Sequence, residues 1–268
     1  MEGTTVMITG ASSGIGEALA RAAATRRANV VLLARRQARL EALADELSTT
    51  TRALAIRCDV TQPEQIRHAV GAAVERFGGL NMVLANAGMG VGGNLLDLSV
   101  EDYRRQFDVN VFGVLNTLYA TLGELERRSG MVGVMGSVNG YLNIPGHSAY
   151  CMSKAAVRSL CACLRHELLP RGVSITHLAP GFVKSEFRHS DSNGVLIPEA
   201  EDPIPAWLAA DALPVAHSIL DAVCDRKEEA VFTLHGRAVI ELAKHTPQLV
   251  SGLMGKSGPL IRRWSRRG

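Results

Sequence analysis

Seven short runs in this chain of 268 residues are apolar at nearly every position: TTVMIT (4–9), NVVLLA (29–34), RALAIRCDV (52–60), LNMVLAN (80–86), MVGVMGS (131–137), VSITHLAP (173–180) and AVFTL (230–234). A strand with one wet face alternates polar and apolar side chains, whereas a strand covered on both faces does not. The runs therefore predict a parallel sheet between two layers of helices. Helical periodicity fills the gaps, over 15–26, 36–48, 62–77, 100–128, 148–169 and about 209–225. Strand–helix alternation of this kind is the doubly wound α/β class. Thr61-x-x-Glu64 with Pro63 predicts a capping box at the start of the third helix.

With 47% hydrophobic and 21% charged residues, the chain has enough apolar material for one large core and too little charge for disorder. No apolar run reaches the roughly 18 residues of a membrane span. Only Met1-Glu2-Gly3 precedes the first strand, so no signal peptide is expected. The cysteines Cys58, Cys151, Cys161, Cys163 and Cys224 have neither metal-site nor disulfide spacing. They read as reduced thiols of a cytoplasmic protein, with Cys161 and Cys163 as small buried hydrophobes. Lys256, Arg262, Arg263, Arg266 and Arg267 outnumber the formal net charge of +3, so the body is close to neutral and the tail is basic. The body carries no basic stripe for nucleic acid.

The first apolar run leads directly into Gly10-x-x-x-Gly14-x-Gly16. At a strand-to-helix turn, such glycines permit a tight bend and let amide N–H groups at the helix N-terminus approach an anion such as a pyrophosphate. Close helix packing alone is the other reading of the same residues. The spacing is neither G-x-G-x-x-G nor the NTPase phosphate loop, because no Lys follows.

Thr9-Gly10-Ala11-Ser12-Ser13-Gly14-Ile15-Gly16, Asn86-Ala87-Gly88, Asn110, Ser137, Tyr150-x-x-x-Lys154 and Pro180-Gly181 occur in an order that resembles the short-chain dehydrogenase/reductase family. The resemblance runs from about residue 4 to 235. It implies one Rossmann-like domain with a seven-stranded parallel sheet and a nicotinamide cofactor; no metal is expected, because no His, Cys or carboxylate cluster has ligand spacing. It also implies that Asn110 supports Lys154 through a carbonyl-and-water bridge, and that a dimer or tetramer is the default assembly.

Tyr150 and Lys154 are four apart in a helical pattern and so share one face. An ammonium beside a phenol favours phenolate and draws its pKa down from ~10, which suits Tyr150 to general acid–base work on a carbonyl or alcohol. Ser137 ends a strand, where ligands sit in open α/β sheets. It reads either as a hydrogen-bond donor to the substrate oxygen or as a turn cap. Asn86, Ala87 and Gly88 shape the adenosine side of the cleft or simply end a strand. Asp59, followed by Val60, accepts from the adenine amino group or caps a turn. Pro180 and Gly181 should pass beside the nicotinamide, with Val183 reaching its carboxamide and Ser185 keeping a hydroxyl nearby. The second strand ends Ala34-Arg35-Arg36, without the acid that would accept from a ribose hydroxyl. Arg35, assisted by Ser12 beside Ser13, is therefore expected to clamp a 2′-phosphate, which makes NADP(H) the expected cofactor, with Arg36 facing solvent.

The substrate walls are expected from Asn139 to His147, from Met89 to Leu95 and from a lid over 184–208. Tyr141, Leu142, Ile144, Phe187, Leu196, Ile197 and Trp207 make those walls apolar, which fits a lipophilic ketone or secondary alcohol. His147 lines the pocket or caps the next helix. A cofactor-sensing protein without turnover is the alternative, although it needs no Ser137, Tyr150 and Lys154 together. Val114, Leu118, Leu122, Val157, Leu160 and Leu164 form an apolar row expected to face another subunit in part, since some of them must face the sheet. Residues 236–268 read as a basic helical extension, suited either to weak contact with a membrane surface or to solvent and subunit packing.

Overall fold

Val6 and Ile8 point to one side of the first strand and Met7 to the other, and all three are fully buried. A computed structural model describes residues 1–189, 204–205, 207–246, 248 and 252. In it, β1 (Thr5–Thr9) lies at the centre of a seven-stranded sheet with β2 (Asn29–Ala34), β3 (Ala53–Arg57), β4 (Met82–Ala85), β5 (Met131–Met135), β6 (Ser174–Ala179) and β7 (Glu229–Val231). The order is β3-β2-β1-β4-β5-β6-β7, and every pairing is parallel. The expected doubly wound sheet is therefore observed, as a single Rossmann-like domain. β3 and β7 are only partly buried because each lies at an edge.

Two apolar layers cover the sheet. On one face Val6, Ile8, Leu32 and Leu84 pack with residues of α1 (Gly14–Thr25), α2 (Gln37–Leu47) and α7 (Ala212–Cys224). On the other, Met7, Leu33 and Val83 meet α3 (Pro63–Phe77), α5 (Gly113–Glu126) and α6 (Ser148–Leu168). α4 (Val100–Phe107) precedes α5, and α8 (Leu234–His245) follows β7. The chain leaves β1 toward β2 and β3, then returns to the other side at β4, so a crevice opens where β1 and β4 end. That reversal is where ligands bind in open α/β sheets.

Several local expectations change. The single helix over 100–128 is split by a π turn at Asp108–Phe112, a feature that concentrates at functional sites. Gln62, not Thr61, holds the N-cap position of α3 and makes no side-chain cap bond. The Thr61 hydroxyl instead donates to Asp59 at 2.8 Å. A true capping box stands at Ser99 and Asp102, ahead of α4. The last strand ends at Val231, because the Thr233 hydroxyl accepts from Gly236 N and starts α8. The body–tail boundary expected at 235/236 thus falls inside α8, where Gly236 and Ile240 are buried.

Val114, Leu118 and Val157 are the members of the apolar row that face the sheet: they are buried in its core, with Leu122, Leu160 and Leu164 partly buried against it. The outward apolar residues of this region are Phe112, Tyr119 and Met152. Cys161 is buried as expected, but Cys163 is exposed, since two residues along a helix is about half a turn. No helix among the described residues is long and apolar enough to cross a membrane. Leu196, Ile197 and the basic residues of 256–268 lie outside the described residues.

Candidate active site

The loop after β1 is built on close backbone approach. Gly10 takes φ +68°, and a Cβ there would stand 2.9 Å from Ala87 Cα. At Gly16 a Cβ would stand 2.1 Å from the Gly10 carbonyl oxygen. Only glycine fits either place, so the loop folds tightly and α1 begins with its amides facing the crevice. Ser13 is the N-cap of α1, and its side chain makes no cap bond. Ile15 packs against the α1–α2 side of the core.

The end of β4 is tied to this loop. Thr9 Oγ1 accepts from Asn86 N at 3.0 Å and from Ala87 N at 2.9 Å, while Asn86 Nδ2 donates to Thr9 O at 2.9 Å. Gly88 runs so near the π turn and α6 that a Cβ on it would be 3.3 Å from Asn110 Oδ1 and 3.8 Å from Lys154 Nζ. The Asn86-Ala87-Gly88 turn therefore joins the glycine loop to α6 and the π turn. This is more than an ordinary strand-ending turn does.

On the β2–β3 side, Arg35 and Asp59 line one cleft of about 440 Å³ together with Thr61, Met89, Asp108 and Asn116. Asp59 Oδ1 accepts from both Thr61 N and Thr61 Oγ1, so Asp59 shapes the turn before α3 while bordering this cleft. Val60 is buried, and its carbonyl accepts from Asn116 Nδ2.

Arg36 does not take its expected place. Arg36 occupies the N-cap position of α2 and projects back over the glycine loop. Its Nε donates to Ser12 Oγ at 3.1 Å, and its Nη2 donates to Ser13 Oγ at 2.6 Å and to Ser12 O at 3.3 Å. Arg36 is therefore half-exposed and tied to the loop rather than free in solvent, and Ser12 meets Arg36 rather than Arg35. Glycine loop and guanidinium together form a cationic ledge.

Ser137 stands at the end of β5, 8% exposed, with its hydroxyl accepting from Asn139 N at 3.1 Å. The cap reading of Ser137 is observed: it caps a short 3-10 turn at the C-terminal end of β5. Tyr150 and Lys154 share the first turns of α6, with Lys154 Nζ 5.7 Å from the centre of the Tyr150 ring. The ammonium donates to Met135 O at 2.6 Å. Burial pushes Lys154 down to about 8. A group charged near neutral pH yet held out of water is poised for proton work.

Asn110 is fully buried in the π turn. Its Oδ1 accepts from Met89 N at 2.9 Å, and its Nδ2 donates to Met89 O at 3.0 Å and to Ser153 Oγ at 3.1 Å. Gln106, one turn earlier, does the same for the next residues: Oε1 accepts from Val91 N at 2.6 Å and Nε2 donates to Met89 O. Two buried amides thus hold the segment that follows Gly88. Gln106 was missed in the sequence, although a Gln four residues before a suspect Asn on the same helix face was a usable signal.

Pro180, Gly181 and Phe182 lie against the first turn of α8. Phe182 N donates to His235 Nε2 at 3.2 Å, and the two rings stack with centroids 5.5 Å apart. Burial pushes the His235 imidazole below its ordinary value, in keeping with an unprotonated acceptor nitrogen. Val183 is buried and bridges to Ala210. Ser185 packs on Gly14, where a Cβ would come within 2.9 Å of it. Thr233 and His235 were not singled out in the sequence, because nothing local reveals that α8 returns to this loop.

Of the residues expected to wall the substrate, Phe187 reaches Tyr150: the two rings are 5.7 Å apart, and Phe187 lies over Gly90. Leu142 is buried, and Asn139 is partly buried beside Ser137. His147 takes the N-cap position of α6 without a side-chain cap bond. Tyr141 departs from expectation. Its hydroxyl donates to Glu229 and its ring lies under Arg158, 4.4 Å from the guanidinium. Opposite charges at the two ends hold it against the outer face of α6 and the β7 edge. There Glu229, with a hydrogen bond from His177, is held down at about 2.

Comparison with known proteins agrees with this geometry. The family model for short chain dehydrogenase matches residues 4–195. Oxidoreductase UcpA of Salmonella typhimurium is 34% identical over 261 residues, covering 94% of this chain and 98% of its own. Two solved structures share the fold. A short-chain dehydrogenase/reductase from Burkholderia phymatum in complex with NAD has a TM-score of 0.82 at 27% identity, covering 92% of this chain and 95% of that one. An alcohol dehydrogenase from the archaeon Thermococcus sibiricus, complexed with 5-hydroxy-NADP, has a TM-score of 0.75 at 30% identity, covering 85% and 95%. A family model spanning well over half of the residues, and a relative matched almost end to end, give the identity that the motif order implied: the chain belongs to the short-chain dehydrogenase/reductase family of oxidoreductases.

Proposed function

We propose that this oxidoreductase is an NADPH-dependent carbonyl reductase or alcohol dehydrogenase acting on a lipophilic small molecule, with Tyr150 as the proton-transferring group. The residues fit a nicotinamide dinucleotide: the Gly10–Gly16 cradle admits no Cβ at its two tightest points, and a buried lysine stands beside the catalytic phenol. When bound, the dinucleotide supplies or takes the hydride.

The chain does the rest. In the reductive direction the Tyr150 hydroxyl gives its proton to the carbonyl oxygen as hydride arrives at the carbon, and Ser137 donates a hydrogen bond to that same oxygen. The ammonium of Lys154 favours the phenolate left on Tyr150. Asn110 and Gln106 fix the Met89–Val91 segment against α6, and orientation of this kind is itself worth a large part of a barrier. In the oxidative direction each transfer reverses. The ring of Phe187 against Tyr150 supports an apolar substrate. No group of three or more His, Cys, Asp or Glu side chains among the described residues is placed to hold a metal ion. Exposed Phe112, Tyr119 and Met152 on the α5–α6 side support a homodimer or homotetramer. The basic extension after the catalytic domain is assigned to a weak membrane-surface or subunit contact.

Cofactor choice rests on one observation: Arg36 lies across Ser12 and Ser13 next to Arg35, and no acid ends β2. A 2′-phosphate there gains charge-assisted hydrogen bonds, whereas a ribose hydroxyl finds no carboxylate acceptor. Such bonds contribute about 1.5–3 kcal/mol net, which corresponds to roughly 10- to 150-fold. The kcat/KM should therefore favour NADPH over NADH by that factor. Arg36→Ala should lose most of this preference, with Arg35→Ala losing less and NADH use little altered in either. Equal efficiency with both cofactors in the native protein would overturn the assignment.

A further inference from the structure

The cationic ledge already holds an anion, and that anion belongs to the chain. The Glu186 carboxylate accepts from Arg36 Nη1 at 3.1 Å and from Arg39 Nη1 at 2.7 and 2.9 Å. Burial pushes this carboxyl up, but the hydrogen bonds and charges of Arg39 and Arg36 outweigh it and hold the group below the usual carboxylate range. Arg36 thus divides its donors: Nε and Nη2 go to the glycine-loop serines and Nη1 goes to Glu186.

The neighbours of Glu186 give this pairing its reach. Ser185 rests on Gly14 of the glycine loop, and Phe187 rests on Tyr150 and Gly90. Three consecutive residues therefore run from the phosphate cradle to the catalytic tyrosine, and the charged one is fastened to the arginines. Lys184, just before them, is fastened separately to Asp211 at 2.8 Å.

We propose that Glu186 is a specificity-determining residue that occupies the Arg36–Arg39 site in the absence of cofactor and yields it to the 2′-phosphate of NADP(H). The inference rests on the NADPH reading above and deepens it. A phosphate carries more charge than one carboxylate and presents three acceptor oxygens, so it can satisfy both guanidinium groups at once. A cofactor without that phosphate leaves Glu186 where it is. Glu186 therefore subtracts from the affinity for the phosphorylated cofactor alone, and it sets the margin of preference rather than its sign.

Side-chain exposures of 34% for Glu186, 40% for Arg36 and 43% for Arg39 mark these as partly solvated pairs. Pairs of that kind contribute little each, so the expected effect is on the order of three- to tenfold in affinity. Glu186→Gln is the variant of choice because it keeps shape and a carbonyl acceptor while removing the charge. The probes are adenosine 2′,5′-bisphosphate and AMP, titrated calorimetrically into the native protein, Glu186→Gln and Arg36→Ala. The expected result is tighter binding of the bisphosphate to Glu186→Gln by three- to tenfold, with AMP changed less than twofold. Unchanged or weaker bisphosphate binding, or an equal gain for both probes, would overturn the role of Glu186 while leaving the cofactor reading intact. If the native protein binds both probes equally and Arg36→Ala changes neither, the NADPH reading fails and the role of Glu186 falls with it.

Discussion

Replacing Tyr150 by Phe should lower kcat/KM for carbonyl reduction by ~10²- to 10⁴-fold, the usual worth of a positioned acid. The substitution is narrow. The ring stays to pack against Phe187, and Lys154 stays buried with its bond to Met135 O. The cradle at Gly10 and Gly16 is untouched. Only the transferable proton is lost, so the dissociation constant for the cofactor should remain within about threefold, roughly the scatter expected when no charged contact is removed. Because the loss falls on a step made only in the transition state, kcat should drop with kcat/KM while KM stays near its native value. A Phe variant with native turnover would remove Tyr150 from the chemistry.

Lys154→Met should cost activity on a similar scale, about 10²- to 10³-fold, the range seen when one stabilising group is withdrawn from a developing charge. The same change should make the fold more stable at neutral pH. Burial lowers this lysine from 10.5 to about 8, so the charged side chain is less at ease in the folded protein than in the unfolded chain. The resulting deficit is fully present below pH about 8, shrinks as pH rises, and is gone by about 10.5, because above that pH neither state binds the proton. Thermal midpoints should therefore be higher for the Met variant at pH 7, with the gap closing toward pH 10. Native reductase activity should meanwhile decline as the pH passes about 8 and the ammonium is lost. A variant that is both less active and less stable at pH 7 would mark Lys154 as a packing residue.

The fold was legible because burial on both faces leaves a plain trace: runs such as NVVLLA have no polar alternation, and β2 is indeed buried along nearly its whole length. Chain reversal at β4 was implied only through the family resemblance, since no local pattern says which strand lies beside β1. The π turn at Asp108–Phe112 was invisible for a related reason. Its residues keep a helical apolar rhythm, and the extra residue in the turn is stabilised by what Asn110 meets far away in sequence.

The site was legible where chemistry requires residue types at fixed spacing, as with Tyr150 and Lys154 on one helix face, or glycines that no Cβ can replace. It was not legible where a long side chain chooses between neighbours. Arg35 and Arg36 are adjacent and alike, and which one leans on Ser12 depends on the φ and ψ with which the chain enters α2. Tyr141 looked like a pocket wall because it follows Ser137 closely. Instead it is drawn away by Glu229 and Arg158, which no local pattern places nearby. His235 and Gln106 act by closing loops that come from distant parts of the chain.

The most direct test of the central claim is turnover by the purified full chain, followed at the nicotinamide absorbance. NADPH and NADH would be offered with a panel of steroid-like, aromatic, polyketide-like and fatty acyl ketones, and the oxidised cofactors with the matching alcohols. Tyr150→Phe, shown to bind cofactor, serves as the background. The expected result is carbonyl-dependent consumption of NADPH by the native protein, fastest with lipophilic ketones and reduced at least a hundredfold in the variant, the lower end of the usual worth of a positioned acid. Tight NADPH binding with no turnover above that background, in either direction and across the whole panel, would contradict an enzymatic role and leave a cofactor-sensing protein in its place.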